Sequence, residues 1–198
     1  MNKFKDNKQF FFSEDDDFLI LRRESFNFVK KFMSNCKPGT KLLEIGTSTN
    51  EDSYPEYDVS SYISNYCKNN SITYKTSNIV GECDYQCDVC YLSKFVNERF
   101  DYILLNSVLE HVVNFWNVPV ELFKTLKEDG KVLIITPFLF KIHGPNPDCY
   151  RVSPVGYKHL FDPYFKELNI ETYPENQIGK NSFPFLVKFE GSKKLIRL

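Results

Sequence analysis

Phe100–His111 reads FDYILLNSVLEH, and the organisation of the chain follows from it. After Asp101 the run Tyr102–Leu105 is apolar without alternation, the pattern of a strand buried on both faces. It breaks at Asn106-Ser107 and resumes as a short helical turn ending in Glu110-His111. Open α/β sheets take their ligands outside the carboxyl ends of the strands. Two small polar residues, an acid and an imidazole therefore stand where a ligand is expected.

Working outward, Lys131–Thr136 (KVLIIT) and Lys41–Ile45 (KLLEI) are two more buried strands. Ile72–Ile79 alternates as another, and a short one is expected near Cys87–Val89. Phe165–Tyr173 and Phe183–Glu190 close the chain as a strand pair joined by a polar turn. Helices are expected between them. Ser13 caps the first, Glu14–Asp17 suit its N-terminus, and it ends near Cys36. Asp58–Lys68 is the second. Val112–Lys127 is the third, with Val113, Trp116, Val120, Phe123 and Leu126 at core spacing, and Pro119 kinks it or marks its start. Glu128–Gly130 is a turn, with Gly130 near the helix C-cap. Pro154–Phe161 is a fourth helix with Pro in its first turn. Thr47–Tyr57 and Phe138–Arg151 read as loops. Strands alternating with helices give an α/β, Rossmann-like, doubly wound sheet, mostly parallel and with an antiparallel pairing at its end. Residues 1–198 are expected to form a single domain, 1–37 as a helical extension and 40–190 as the core.

Composition narrows the class. An apolar content of 42% supports a packed core, and a net charge of −1 gives no general attraction to nucleic acid or an anionic membrane. No apolar run approaches the ~20 residues needed to span a bilayer, and the N-terminus lacks a signal-peptide core. A cytoplasmic protein without membrane insertion is expected, and its six cysteines need not pair. Its oligomeric state is open.

LLEIG at 42–46, CDVCYL at 87–92, FDYILLNSVLEHV at 100–112, LFKTLKEDGKVLIITPF at 122–138 and HGPNPDCYRVSPVGYKHLF at 143–161 come in that order. Together they resemble a class I S-adenosylmethionine-dependent methyltransferase of the small-molecule, type 11-like branch. The resemblance covers residues 40–190. It implies a seven-stranded sheet with the last strand antiparallel, S-adenosylmethionine as methyl donor, and a small-molecule acceptor such as a sugar or glycan precursor. It also implies cofactor-binding roles for Glu44, Gly46, Thr47 and Ser48 after the first strand. Asn78 stands where a carboxylate usually holds the ribose hydroxyls, with Asp84 or Glu82 as substitutes under a shifted alignment. Asp88 and Val89 fall in the adenine segment, and Asn106 and Ser107 fall beside the methionyl group.

Two departures stand out. Gly46-Thr47-Ser48 lacks the second glycine of the usual first motif, and Asn78 replaces a charged acceptor with a neutral one. They motivate an alternative: a catalytically silent relative that keeps the fold as a binding module.

On the acceptor side, His111 and His143 are the candidate catalytic residues, as general bases or walls of the acceptor pocket, weighed against simple turn-ordering roles. Tyr150 and Arg151 are candidate substrate contacts, with Arg151 either clamping an acidic acceptor group or tying its loop to Asp148. Glu110, His111, His143 and Asp148 are metal-type donors, but they lack tight ligand spacing, so no metal site is expected. Cys83, Cys87 and Cys90 form C-x₃-C-x₂-C, similar to the cluster motif of radical S-adenosylmethionine enzymes. That iron–sulfur reading, like a structural zinc, is weighed against three cysteines packed as small hydrophobes around a short strand.

Overall fold

The computed structural model describes residues 14–47, 55–173 and 186–194. Seven strands form one sheet: β1 Lys41–Ile45, β2 Thr73–Asn78, β3 Tyr85–Gln86, β4 Phe100–Asn106, β5 Leu126–Pro137, β6 Phe165–Tyr173 and β7 Leu186–Lys193. Their spatial order is β3-β2-β1-β4-β5-β7-β6. The first five run parallel to their neighbours, and β7 is antiparallel to both β5 and β6. The closing pair is thus inverted: the last strand enters the sheet beside β5 and leaves β6 at the edge. Strand order reverses beside β1 and β4, so their carboxyl ends form the crevice of this fold.

The apolar run of β4 is central, as read. Phe100 and Tyr102–Leu105 are buried, while Asp101 and Asn106 are partly exposed at the strand ends. Asp101 accepts from the Lys41 amide at 2.8 Å and from Lys127 Nζ at 2.7 Å, which fixes the strand's entry. One face is covered by α1 (Glu14–Met33) and α2 (Val59–Asn69), through Leu21, Val29, Phe32, Met33 and Ile63 against Leu42, Leu104 and Ile135. The other is covered by α3 (Leu92–Phe95), α4 (Val118–Thr125) and α5 (Pro154–Phe161), through Leu92, Val118, Leu122, Tyr157 and Phe161 against Leu43, Ile103 and Ile134. The expected cap Ser13 lies outside the described residues.

Several boundaries differ from the sequence reading. Asp58 is the cap of α2 rather than its first residue, accepting from the Ser61 amide at 3.0 Å. The third helix starts at Val118, not Val112. Pro119, which has no N–H to offer, takes the first turn, and Phe115–Asn117 precedes it as a separate 3₁₀ turn. The periodicity counted from Val112 therefore belonged to two elements, and Val113 and Trp116 are 55% and 58% exposed. Glu128–Gly130 is no helix cap. It is an irregularity within β5, which pairs Leu126 with Phe100 and resumes at Lys131 opposite Tyr102. The short strand is Tyr85–Gln86, and Val89–Tyr91 is a 3₁₀ turn instead.

Candidate active site

The carboxyl ends of β1, β2 and β4 meet around Gly46. Its φ is +75°, the left-handed region where glycine carries no Cβ penalty. A Cβ here would stand 2.3 Å from Val108 Cγ2, so the turn after β1 lies directly on the turn after β4. The Gly46 amide donates to Ser77 O at 2.8 Å, and the Ser107 amide donates to Ile135 O at 2.9 Å. Asn78 Nδ2 reaches Thr47 O at 3.4 Å and Thr47 Oγ1 at 3.3 Å, while its Oδ1 accepts from the Ile79 amide at 2.8 Å. Asn78 thus joins the tips of β2 and β1, a link made through Thr47 that the sequence reading missed. Ser48 lies outside the described residues.

Glu44 is buried on the α2 side of β1. Ser60 donates to its Oε1 at 2.7 Å and Tyr74 to its Oε2. Burial pushes its carboxyl up from the ordinary value, and these two hydrogen bonds oppose that. These two bonds anchor the β1 end to α2 and β2, contacts that the sequence reading did not anticipate. The signal for Ser60 and Tyr74 was available: an acid inside an apolar strand demands donors from its neighbours. Asp88 is exposed and caps the turn after β3, its Oδ1 accepting from the Cys90 amide at 2.8 Å, with Val89 buried beside it. Asp84 holds Lys75 at 2.6 Å and the Thr76 amide at 2.9 Å, so it serves the β2 edge.

At the tip of β4, Asn106 Oδ1 is buried with no hydrogen-bond partner among the described residues. Ser107 has φ of +55° and is exposed. A backbone held in the left-handed region at a non-glycine residue marks a constrained turn. An unpaired buried acceptor, a glycine turn in close contact with the next strand tip, and a polar rim fit a cofactor with an ammonium group and ribose hydroxyls. Gly46, Thr47, Asn78, Asn106 and Ser107 lie at the carboxyl ends of β1, β2 and β4, and Asp88 and Val89 lie in the turn after β3.

Beyond that rim the turn Leu109–His111 carries the second half of the site. Glu110 is buried to 1% exposure, and neither of its carboxylate oxygens has a hydrogen-bond partner among the described residues. Burial pushes its carboxyl up to about 8. Its carbonyl accepts from the amides of Cys149 at 2.7 Å and Tyr150 at 3.2 Å, which ties the loop 138–153 to the tip of β4. That loop brings His143 to His111, with ring centroids 5.0 Å apart and edge to face. His111 Nδ1 lies 3.0 Å from Pro147 O, and burial lowers its proton affinity. A carbonyl only accepts, so Nδ1 carries the proton and Nε2 keeps its lone pair, 3.8 Å from Glu110 Oε1. His143 Nδ1 lies 3.2 Å from Lys141 O and 3.1 Å from Asp148 Oδ2, which leaves its Nε2 lone pair by the same reasoning.

Arg151 takes the second of its two expected roles. Its Nη1 and Nη2 grip the two Asp148 oxygens at 2.5 and 2.7 Å, and the pair holds the Asp148 carboxyl well below the usual range. Asp148 Oδ2 also accepts the His143 amide at 2.9 Å. Tyr150 Oη donates to Val113 O at 2.9 Å, and its ring packs on Phe115 at 4.4 Å. Both side chains help to build the loop, and Arg151 Nε is buried without a hydrogen-bond partner among the described residues. A partner three residues away is reached at little entropic cost.

The three cysteines diverge. Cys87 Sγ is 3.4 Å from Ser77 Oγ, Cys90 Sγ donates to Asn114 O at 3.5 Å, and Cys83 lies near Asn78 O at 3.9 Å. Burial pushes the Cys90 thiol up to about 12 and raises Cys87. Thiols of this kind are poor ligands, so the geometry opposes the iron–sulfur alternative.

Solved structures share this architecture. A SAM-dependent methyltransferase from Archaeoglobus fulgidus superposes with a TM-score of 0.64 at 13% identity, over 87% of this chain and 94% of that one. The Burkholderia thailandensis 1,6-didemethyltoxoflavin-N1-methyltransferase, solved with 1,6-didemethyltoxoflavin and S-adenosylhomocysteine, gives 0.59 at 14% identity over 88% and 79%. The Haloferax volcanii complex of the Trm112 methyltransferase activator with a methyltransferase gives 0.62 at 10% identity over 91% and 95%. At such identities the likeness speaks for the fold. No curated protein matches this chain. Residues 46–134, from the glycine turn to the middle of β5, match the family described as "Methyltransferase domain". In that stretch the chain is similar to the methyltransferase-domain family, and its fold is the one that these S-adenosylmethionine-dependent methyltransferases share.

Proposed function

We propose that this domain methylates a hydroxyl-bearing small molecule, such as a sugar or glycan precursor, and that the acceptor lies between the tip of β4 and the loop 138–153. The observation that carries this reading is the pair His111–His143. Each ring places Nδ1 against an acceptor, which leaves the Nε2 lone pair on each, and the two ring centroids lie 5.0 Å apart. A hydroxyl is a weak nucleophile until its proton is taken, and a positioned base contributes roughly 10²–10⁴-fold. The lowered proton affinity of His111 keeps it neutral near pH 7, the form that accepts a proton.

The donor supplies an electrophilic methyl group on a sulfonium. Gly46, Thr47 and Asn78 hold its polar end, Asp88 and Val89 its base, and Asn106 Oδ1 accepts from its ammonium. Positioning alone supplies ~7–11 kcal/mol in reactions of this type, so the rigid strand tips do most of the work and the imidazoles the remainder. All six cysteines are free thiols, which supports a reducing, cytoplasmic setting. Among the described residues no helix is long and apolar enough to cross a membrane.

The test is transfer of a labelled methyl group from S-adenosylmethionine to a panel of sugars, sugar nucleotides, amines and carboxylates. A hydroxyl acceptor is expected, with His111→Ala losing at least tenfold in kcat while cofactor affinity is kept. Transfer to an amine with full activity in His111→Ala would overturn the reading.

A further inference from the structure

The Glu110–His111–His143 cluster holds a contradiction that a proton donor or a cation must resolve. One nitrogen of each imidazole and a carboxylate oxygen of Glu110 lie within 4.8 Å of one another, and neither Glu110 oxygen has a hydrogen-bond partner among the described residues. We propose that Glu110, His111 and His143 form a site for a divalent transition-metal ion of the zinc or iron class, with open positions for an oxygen of the acceptor.

Three features support the assignment. The donor set, two imidazoles and one carboxylate, is one that zinc and non-haem iron take. Each imidazole anchors its remote nitrogen on a backbone carbonyl or a carboxylate, the second contact that fixes ring orientation and tautomer in metal sites. Ligands at ~2.0–2.2 Å from a tetrahedral ion lie about 3.4 Å apart, so the 3.8 Å between Glu110 Oε1 and His111 Nε2 needs only a small contraction. Exposure of 12% and 21% at the two histidine side chains leaves the site reachable from solvent. The ion's role in orienting an acceptor rests on the proposed function, but its binding does not. With the ion in place the imidazole lone pairs are spent on it, and the cluster orients the acceptor oxygen instead of taking its proton.

The experiment titrates the chelator-stripped full chain with Co²⁺ alone, read by its visible d–d absorption and by metal content after desalting. One equivalent is expected, without the near-ultraviolet charge-transfer band of a thiolate ligand. Glu110→Gln and His143→Ala should each lose at least tenfold in affinity, and Cys83→Ser should lose none. His143 sits on the loop outside the core, so its variant remains a fair test where Glu110→Gln perturbs folding, and thermal melts check both. The proposal fails if the wild-type chain binds no stoichiometric ion, if both variants bind as well as wild type, or if thiolate bands dominate. S-adenosylhomocysteine titrated into the same samples separates the two readings. Cofactor binding without Co²⁺ binding removes the ion site alone, and Co²⁺ binding without cofactor binding removes the methyltransferase reading alone.

Discussion

The two halves of the proposed site, donor and acceptor, are built differently. The donor half, from Gly46 to Ser107, is made of strand tips and backbone geometry: a left-handed glycine packed on Val108, and amides donating to neighbouring strands. The acceptor half, from Glu110 to Arg151, is made of side-chain charge drawn from segments more than thirty residues apart in sequence, held by a loop pinned to the Glu110 carbonyl. The first half is tied by backbone hydrogen bonds and leaves one buried acceptor, Asn106 Oδ1, without a partner among the described residues. The second stores a buried, unpaired carboxyl. Backbone-built sites tolerate little change in shape, and charge-built sites respond to pH and to ions.

Breaking the donor half should have the largest effect. Gly46→Ala places a side chain at positive φ, costing ~1–2 kcal/mol, and drives Cβ into Val108, costing ~1–3 kcal/mol more. Cofactor affinity measured by calorimetry is expected to fall on the order of a hundredfold or more, and unchanged affinity would mean that the turn does not meet the cofactor.

Next comes pH. The Glu110 carboxyl titrates near 8 in the folded chain, against an ordinary value of 4.5. The folded state therefore binds the proton more tightly than the unfolded state. The stability this contributes is full below about pH 4.5 and is lost as pH rises through about 8. Each tenfold difference in proton affinity between the two states is worth ~1.36 kcal/mol, so a few kcal/mol are at stake. Glu110→Gln has no such loss, so the Tm of the variant should gain on that of wild type by several degrees between pH 5 and pH 9 in chelator. Parallel melting curves would refute the buried, unpaired carboxyl.

Smaller effects sharpen the division. His143→Ala is expected to reduce kcat by at least tenfold with cofactor affinity retained. A loss confined to cofactor affinity would move His143 to the donor half. Asp88→Ala should weaken cofactor binding by roughly tenfold, the cost of one hydrogen bond. Equal affinity would show that Asp88 only caps the turn at Cys90.

The same contrast explains what was legible in the sequence. The sheet was legible because the continuous apolar runs of β1, β4 and β5 report burial on both faces. The positions of Gly46, Asn78, Asn106 and Ser107 at strand ends were legible because each follows or closes a strand-like run. The helix before β5 was misjudged because a 3₁₀ turn and a proline-started helix together mimic one period. The partners of Glu44 were not anticipated because Ser60 and Tyr74 sit on other elements. The acceptor-side candidates His111, His143, Tyr150 and Arg151 were named from the sequence, but the contacts among them were not legible for the same physical reason. His143 is 32 residues from His111 in sequence, and the rings meet where the loop's Cys149 and Tyr150 amides donate to Glu110 O and His111 Nδ1 donates to Pro147 O of the loop.

The central claim is that these strand tips hold S-adenosylmethionine. Calorimetric titration of the full chain with S-adenosylhomocysteine tests it most directly. One site per chain is predicted, with affinity lost in Gly46→Ala and kept in His143→Ala. No binding at millimolar ligand would contradict the account and leave the fold as a catalytically silent binding module.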